Sequence, residues 1–124
     1  TAQGVLYKVE KPGKGVNFKK GDEVMLKYKG MHIDGSVFDQ SYKAVMFPVD
    51  ETQLIKGFVD MLTNMKPGMK VTCIIPGKLA YGDRGNQNIA PNETLVFEIE
   101  TGNLATAADK KMAGGAEAVA DSAK

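Results

Sequence analysis

Only one stretch of this chain repeats its apolar residues at a helical spacing. Leu54, Phe58, Met61, Leu62 and Met65 fall at i, i+4, i+7, i+8 and i+11, a single stripe along one helix. Elsewhere in the body of the chain the apolar residues alternate or form short clusters, the mark of strands. One short helix and several strands can bury their apolar faces against each other, so the chain reads as α+β. Glu23–Met31 is the clearest strand, with Val24, Leu26 and Tyr28 on one face and Met25, Lys27 and Lys29 largely on the other. Val5–Val9, Val37-Phe38, Val45–Val49, Met69–Ile75 and Thr94–Thr101 read as further strands; in the last, Leu95, Phe97 and Ile99 share a face.

Turn residues separate these pieces. Pro12-Gly13 with Gly15, Lys20-Gly21-Asp22 and Pro76-Gly77 are breaks, and Asp34-Gly35 is a hairpin signal. Asp50 or Thr52 stands where a helix N-cap belongs, and Pro67-Gly68 ends the stripe. Gly57 lies inside the stripe, where glycine costs about 1 kcal/mol relative to alanine. It is read either as a close backbone approach or as a tolerated glycine. Gln40–Lys43 is a polar loop. Gly77–Glu93 is longer than most structureless connections in small domains, which makes it a functional candidate.

At 124 residues, 43% of them hydrophobic, the chain has enough apolar residue for one core and too little length for two. The composition changes at Leu104. From there to Lys124 the chain is rich in alanine, holds no aromatic residue, and is interrupted by Gly114-Gly115. Such a segment buries too little surface to offset its ordering entropy. The expected organisation is a domain over residues 1–103 and a flexible tail or linker over 104–124. No run approaches the roughly eighteen apolar residues of a membrane-spanning helix. Residues 1–4 lack the charged start and apolar run of a signal peptide. A chain that opens on Thr1 rather than Met reads as a processed product or an excised domain.

Counts exclude several chemistries. A single Cys73 allows no internal disulfide and no CxxC cluster, and a single His32 allows no His-rich metal site. Neither GxSxG nor GxxxxGK[ST] occurs. The net charge of +1 is far from the basic excess of a nucleic-acid binder. Residues 1–30 hold seven Lys against three acids, read as a solvated basic face. His32 is given a surface or packing role. Cys73, between Thr72 and Ile74 in a strand, is a buried thiol behaving as a small hydrophobe, and the methionines are core filling.

What remains is aromatic. Tyr28, Phe38, Phe47, Phe58, Tyr81 and Phe97 stand at inward-facing strand positions or loop ends. Each alone reads as core. Tyr81, however, lies in the long loop, where a phenol wants a hydrogen-bond partner, and Asp39 places an acid directly beside Phe38. Together they outline a small apolar pocket whose ligand the residues alone leave open.

At these positions the chain resembles the FKBP-type peptidyl-prolyl cis-trans isomerases. The likeness runs in order through Gly21-Asp22-Glu23-Val24, Tyr28-Lys29-Gly30-Met31 and Asp34-Gly35-Ser36-Val37-Phe38-Asp39. It continues through Leu54-Ile55-Lys56-Gly57-Phe58, Met65-Lys66-Pro67-Gly68, Ile75-Pro76 and Leu79-Ala80-Tyr81-Gly82-Asp83-Arg84-Gly85. It closes on Ile89-Ala90-Pro91-Asn92-Glu93-Thr94-Leu95-Val96-Phe97. The resemblance covers about residues 4–103. It implies a curved antiparallel sheet of about five strands wrapped around one short α-helix. It also implies an isomerase that speeds X–Pro rotation in peptides and folding proteins. Tyr28, Phe38, Asp39, Phe58, Tyr81 and Phe97 would carry catalysis, with Phe47, Leu54, Ile55 and Ile89 binding substrate. No metal, nucleophile or cofactor is implied. Phe58 would be the pocket floor, where many members carry Trp, and the loop with Tyr81 and Ile89 a flap.

The partners implied are proline-containing peptides and unfolded proteins, with tacrolimus or rapamycin able to fill the pocket. No nucleic acid and no membrane span are implied, and the domain is expected to act as a monomer. A second class, a chaperone or docking module using the same pocket, is disfavoured by retention of the aromatic set. The opening Gly4–Val9 resembles the lead-in of bacterial members, many of them exported, which favours an exported origin over a cytoplasmic one. Departures fall at the rim. The Asp39–Phe47 segment is short and offers only Lys43 as a basic partner for Asp39. Val45 stands where an aromatic is common, and the flap carries Asn86-Gln87-Asn88, then Ile89-Ala90-Pro91 where Ile-Pro-Pro is frequent. These bear on affinity and substrate preference.

Overall fold

The computed structural model describes residues 1–105. The reading of 104–124 as a tail lies, from residue 106 onward, outside the described residues; Leu104 itself still belongs to a strand. In chain order the elements are β1 (Leu6–Lys11), β2 (Glu23–Met31), β3 (Val37–Gln40), β4 (Val45–Pro48), α1 (Lys56–Leu62), β5 (Lys70–Ile75) and β6 (Leu95–Leu104). A 3₁₀ turn over Gly77–Leu79 interrupts the long loop. The strands form one antiparallel sheet in the order β1-β5-β6-β2-β3, with β4 also paired to β2. Among the described residues the expected α+β class and one short helix hold, and the sheet of about five strands is found with six.

Alternation decides which face each strand buries. Along β2 the buried residues are Val24, Leu26, Tyr28 and Gly30, and along β6 they are Leu95, Phe97, Ile99 and Thr101. Register lines these up across the sheet, with Ile99 between Val71 and Tyr28, and Phe97 between Cys73 and Gly30. The outer face carries charge. Lys27 faces Glu100 and Lys29 faces Glu98, so part of the N-terminal lysine excess lies opposite glutamates of β6.

β3 and β4 both pair with the same edge of β2, β3 along Lys29–Met31 and β4 along Glu23–Leu26. Between them the edge is interrupted at Ser41. Its Oγ accepts the Tyr28 N–H at 3.0 Å, and its own N–H donates to the Tyr28 carbonyl at 3.0 Å. The broken ladder is thereby satisfied at the residue whose side chain enters the core.

The helix fills the inner face. Leu54, Phe58, Met61, Leu62 and Met65 are all buried, as the stripe predicts. The helical segment is shorter than the stripe, however, and the capping expectation is wrong. Ile55 is the N-cap, with no side-chain capping bond. The Asp50 carboxylate instead binds the Thr52 N–H at 2.9 Å and the Thr52 hydroxyl at 2.8 Å, closing a separate turn ahead of the helix. An Asx turn satisfies the same acceptor that a cap would use, and it wins here because it is local. At the other end the chain leaves the helix at Thr63, before Pro67, with the Thr63 hydroxyl and Asn64 amide on the Asp60 carbonyl. Gly57 is a close approach: a Cβ there would stand 2.3 Å from Ile75 Cγ2 and 3.1 Å from the Leu79 carbonyl oxygen.

Candidate proline-binding site

The inner face of β2, β3, β4 and β6 and the start of α1 bring five aromatic rings into one chain of contacts. Phe58, from the helix, packs edge-on against Phe97 at 5.4 Å and against Tyr28 at 6.3 Å. Phe47 lies 5.3 Å from Phe58 and 5.2 Å from Tyr28. Phe38, from β3, meets Phe97 edge-on at 5.7 Å. Edge-to-face geometry at these distances is the favoured arrangement of aromatic pairs and holds each ring in place.

Phe47, Phe58 and Phe97 are 0% exposed, so they form the floor and back of this cluster. Its rim is made by half-buried residues: Phe38, Asp39 and Tyr81. Leu54, Ile55 and Ile89 are buried in the same core. The structure therefore gathers the aromatic and aliphatic residues singled out in the sequence, and joins Asp39 to them by a hydrogen bond.

That bond runs from the Tyr28 hydroxyl to Asp39 Oδ2 at 2.7 Å. The other oxygen, Oδ1, accepts the Gln40 N–H at 2.9 Å. Asp39 is thus held at both oxygens by its own neighbourhood, in place of the basic partner sought at Lys43. Burial, then Asp39, push the Tyr28 phenol far above its ordinary value. Burial, followed by the charge of Asp39, does the same for Tyr81. Both phenols remain protonated through neutral pH and keep a proton to donate.

The loop that carries Tyr81 and Ile89 is built by short-range bonds. Gly82 N–H donates to the Gly77 carbonyl at 2.9 Å, and Asn92 N–H to the Gly82 carbonyl at 2.7 Å, which closes the loop at its base. The polar flap residues have a structural reason. Asn86 Oδ1 accepts the N–H groups of Asn88 at 2.8 Å and Ile89 at 2.9 Å, and this turn sends Ile89 inward.

Two contributors escaped the sequence reading. Gly30 is one: a Cβ there would stand 2.7 Å from Phe38 Cζ and 2.9 Å from Phe97 Cε1. Its signal was a glycine at an inward position of a strand, which marks close approach. The other is Ser41, whose clamp on Tyr28 needs the broken edge to be known. A cavity of about 290 Å³ lies over the outer face beside Lys27, Lys29, Lys70, Glu98 and Glu100. Its walls are mostly charged, and Phe38, Phe58 and Phe97 do not line it. Among the described residues no group of three or more His, Cys, Asp or Glu could hold a metal ion. Among them, too, no helix is long and apolar enough to cross a membrane.

Comparison with known proteins agrees with this geometry. The family model for FKBP-type peptidyl-prolyl cis-trans isomerases matches residues 14–101. The Escherichia coli isomerase FkpA is 42% identical over 129 residues, which span 100% of this chain and 47% of that protein. The Coxiella burnetii isomerase Mip is 42% identical over 102 residues, 79% of this chain and 44% of that protein. This chain thus spans about half the length of either relative. Among solved structures, a peptidyl-prolyl cis-trans isomerase from Pseudomonas syringae pv. tomato superposes with a TM-score of 0.78 at 35% identity, covering 85% of this chain and 78% of that one. Escherichia coli FkpA superposes with a TM-score of 0.78 at 40% identity, covering 86% and 51%. With the matched segment running from the turn after β1 well into the site-bearing strand β6, the chain belongs to the FKBP-type peptidyl-prolyl cis-trans isomerases.

Proposed function

We propose that this domain accelerates cis–trans rotation of X–Pro bonds in peptides and unfolded proteins by holding proline against the Phe38, Phe58 and Phe97 rings. The observation that carries the reading is the edge-to-face ring cluster with the Tyr28–Asp39 bond at its rim. A peptide bond resists twisting by roughly 18–20 kcal/mol because resonance is lost as it turns. The planar amide is also the more polar form, with charge on its oxygen. An apolar surround disfavours that form relative to the twisted one, so a lower barrier follows without nucleophile or proton transfer.

Orientation adds to this. The Ile55 N–H stands at the helix N-cap, where no intrahelical acceptor exists, and would take one substrate carbonyl. The Tyr81 hydroxyl, kept protonated, would take another. Asp39 steadies Tyr28 and places a negative charge at the rim, where it favours an electropositive edge of the substrate. Phe47, Leu54 and Ile89, buried in the same core, would bound the space taken by the ring. The same space would admit the apolar macrolides tacrolimus and rapamycin. One copy of the domain supplies every residue named in this site, which fits action as a monomer. The catalytic unit extends through Leu104, the last residue of β6.

The test is exchange NMR on proline peptides with wild type, Tyr81→Phe and Phe38→Leu. Phe38 is preferred to Phe97 because Phe97 is wholly buried, and its truncation would cost about 3–5 kcal/mol of stability. Acceleration that drops at least about tenfold in Phe38→Leu supports an isomerase using this site. A folded wild type that accelerates no X–Pro peptide, yet binds unfolded protein, would assign the site to docking instead.

A further inference from the structure

His32, just past the end of β2, is not a bystander. Its ring lies 5.4 Å from the Phe38 ring, inclined at 55°. Its Nδ1 meets Glu93 Oε2, a contact across 61 residues of sequence. The second oxygen of that carboxylate, Oε1, accepts the Ala90 N–H at 2.9 Å. Ala90 follows Ile89, the buried residue of the flap. One carboxylate therefore ties the ring beside Phe38 to the flap backbone. Phe38 is only half-buried, so its position depends on the neighbours that hold it, and Phe97 and His32 are those neighbours.

We propose that His32 and Glu93 form a pH-sensitive clasp that positions Phe38 and the Ile89-Ala90 flap, making His32 a positioning residue of the isomerase. The inference rests on the isomerase reading above. Rotation about an amide moves no proton, so the chemistry brings no pH dependence of its own. The Tyr28 and Tyr81 phenols titrate far above neutrality. His32 is the sole histidine, and imidazole is the side chain suited to change charge within the physiological pH range.

Protonated, the ring gives Glu93 a full ion pair. Neutral, it gives at most a hydrogen bond, and in one tautomer only. The clasp is thus tighter on the acid side. The charged groups that face His32 are Glu93, from the loop before β6, and Asp34, from the β2–β3 turn; β3 presents the uncharged Phe38. The bond to His32, then the Ala90 N–H, hold the Glu93 carboxyl below its ordinary range, so it stays ionised across the window in which imidazole titrates.

The experiment measures kcat/KM by exchange NMR on an X–Pro peptide from about pH 5.5 to about pH 8, and follows the Ala90 amide shift over the same range. The samples are wild type, His32→Asn and Glu93→Gln. Asparagine keeps an N–H donor near the place of Nδ1 without titrating. In wild type, kcat/KM falls about two- to fivefold as pH rises, the amount an ion pair of this exposure sustains, and Ala90 shifts with the same midpoint. Both profiles are flat in the two variants.

A flat wild-type activity profile with a titrating Ala90 overturns the positioning role. An Ala90 signal that ignores pH, or titrates unchanged in His32→Asn, overturns the clasp. A wild type inactive at every pH fails the isomerase reading and the positioning role with it, while the Ala90 titration still decides whether the clasp exists.

Discussion

Gly30→Ala is the sharpest perturbation the site offers, because it adds one methyl and removes nothing. Alanine in a strand is ordinarily better than glycine by about 0.5–1 kcal/mol, through the unfolded chain. Here the new Cβ would stand 2.7 Å from Phe38 Cζ and 2.9 Å from Phe97 Cε1. Carbon atoms in good contact sit about 3.5–4.0 Å apart, so the rings must retreat by about 1 Å. Phe97 has nowhere to go: it is 0% exposed and braced edge-on by Phe58 at 5.4 Å. Phe38 is half-buried and yields instead, swinging away from the cluster. Overpacking costs about 1–3 kcal/mol, which outweighs the backbone gain and leaves a net loss of about 1 kcal/mol. Thermal denaturation should register this as a fall of about 4–8 °C in Tm. Exchange NMR on a proline peptide should show kcat/KM falling at least about tenfold, since a displaced Phe38 no longer walls the box. The disproportion between a small stability loss and a large activity loss is the signature. A Gly30→Ala protein as stable as wild type and fully active would mean that the rings yield freely, and the packing argument would be wrong.

Tyr28→Phe deletes the 2.7 Å bond to Asp39 and leaves a carboxylate oxygen without that donor, so denaturant melts should show a loss of about 1.5–3 kcal/mol. In alkali, the unfolded chain ionises its tyrosines near pH 10 while burial and Asp39 keep the Tyr28 phenol protonated in the fold. Stability is therefore fully present below about pH 10 and is lost as pH rises beyond it, with a shallower loss in Tyr28→Phe; equal slopes would contradict the assignment. Cys73 is fully buried and its thiol is pushed up to about 12, so a disulfide reagent should label it only as fast as the protein unfolds. Gly57→Ala sets a helix gain of about 1 kcal/mol against a methyl 2.3 Å from Ile75 Cγ2, and Tm should fall rather than rise.

Joining the chain's residue pattern to its three-dimensional form shows which features each could carry. The period of two in Glu23–Met31 and the single stripe from Leu54 to Met65 were enough to name the strand, the helix and the faces they bury. These are local properties: side chains one or two turns apart share a face whatever lies beyond them. The ordered aromatic set pointed to the site for a similar reason, since large rings at inward positions of one small core must meet. Asp50 misled because a cap and an Asx turn use the same side chain and the same spacing, and only the backbone path distinguishes them. Gly57 left two readings open until Ile75 was found against it.

The amino-acid sequence by itself determined the α+β class, the helix stripe, the buried faces and the list of rings that line the site. Only the tertiary structure decided that six strands pair in the order β1-β5-β6-β2-β3 with β4 on the same edge as β3, and that Ser41 bridges the gap between them. It alone joined Tyr28 to Asp39 across β2 and β3, fitted Gly30 beneath two rings, and set Glu93 against a histidine 61 residues away. The division has one physical cause. Periodicity records what a residue faces, whereas hydrogen bonds and ring contacts between distant segments depend on register, which one residue's slip would reverse.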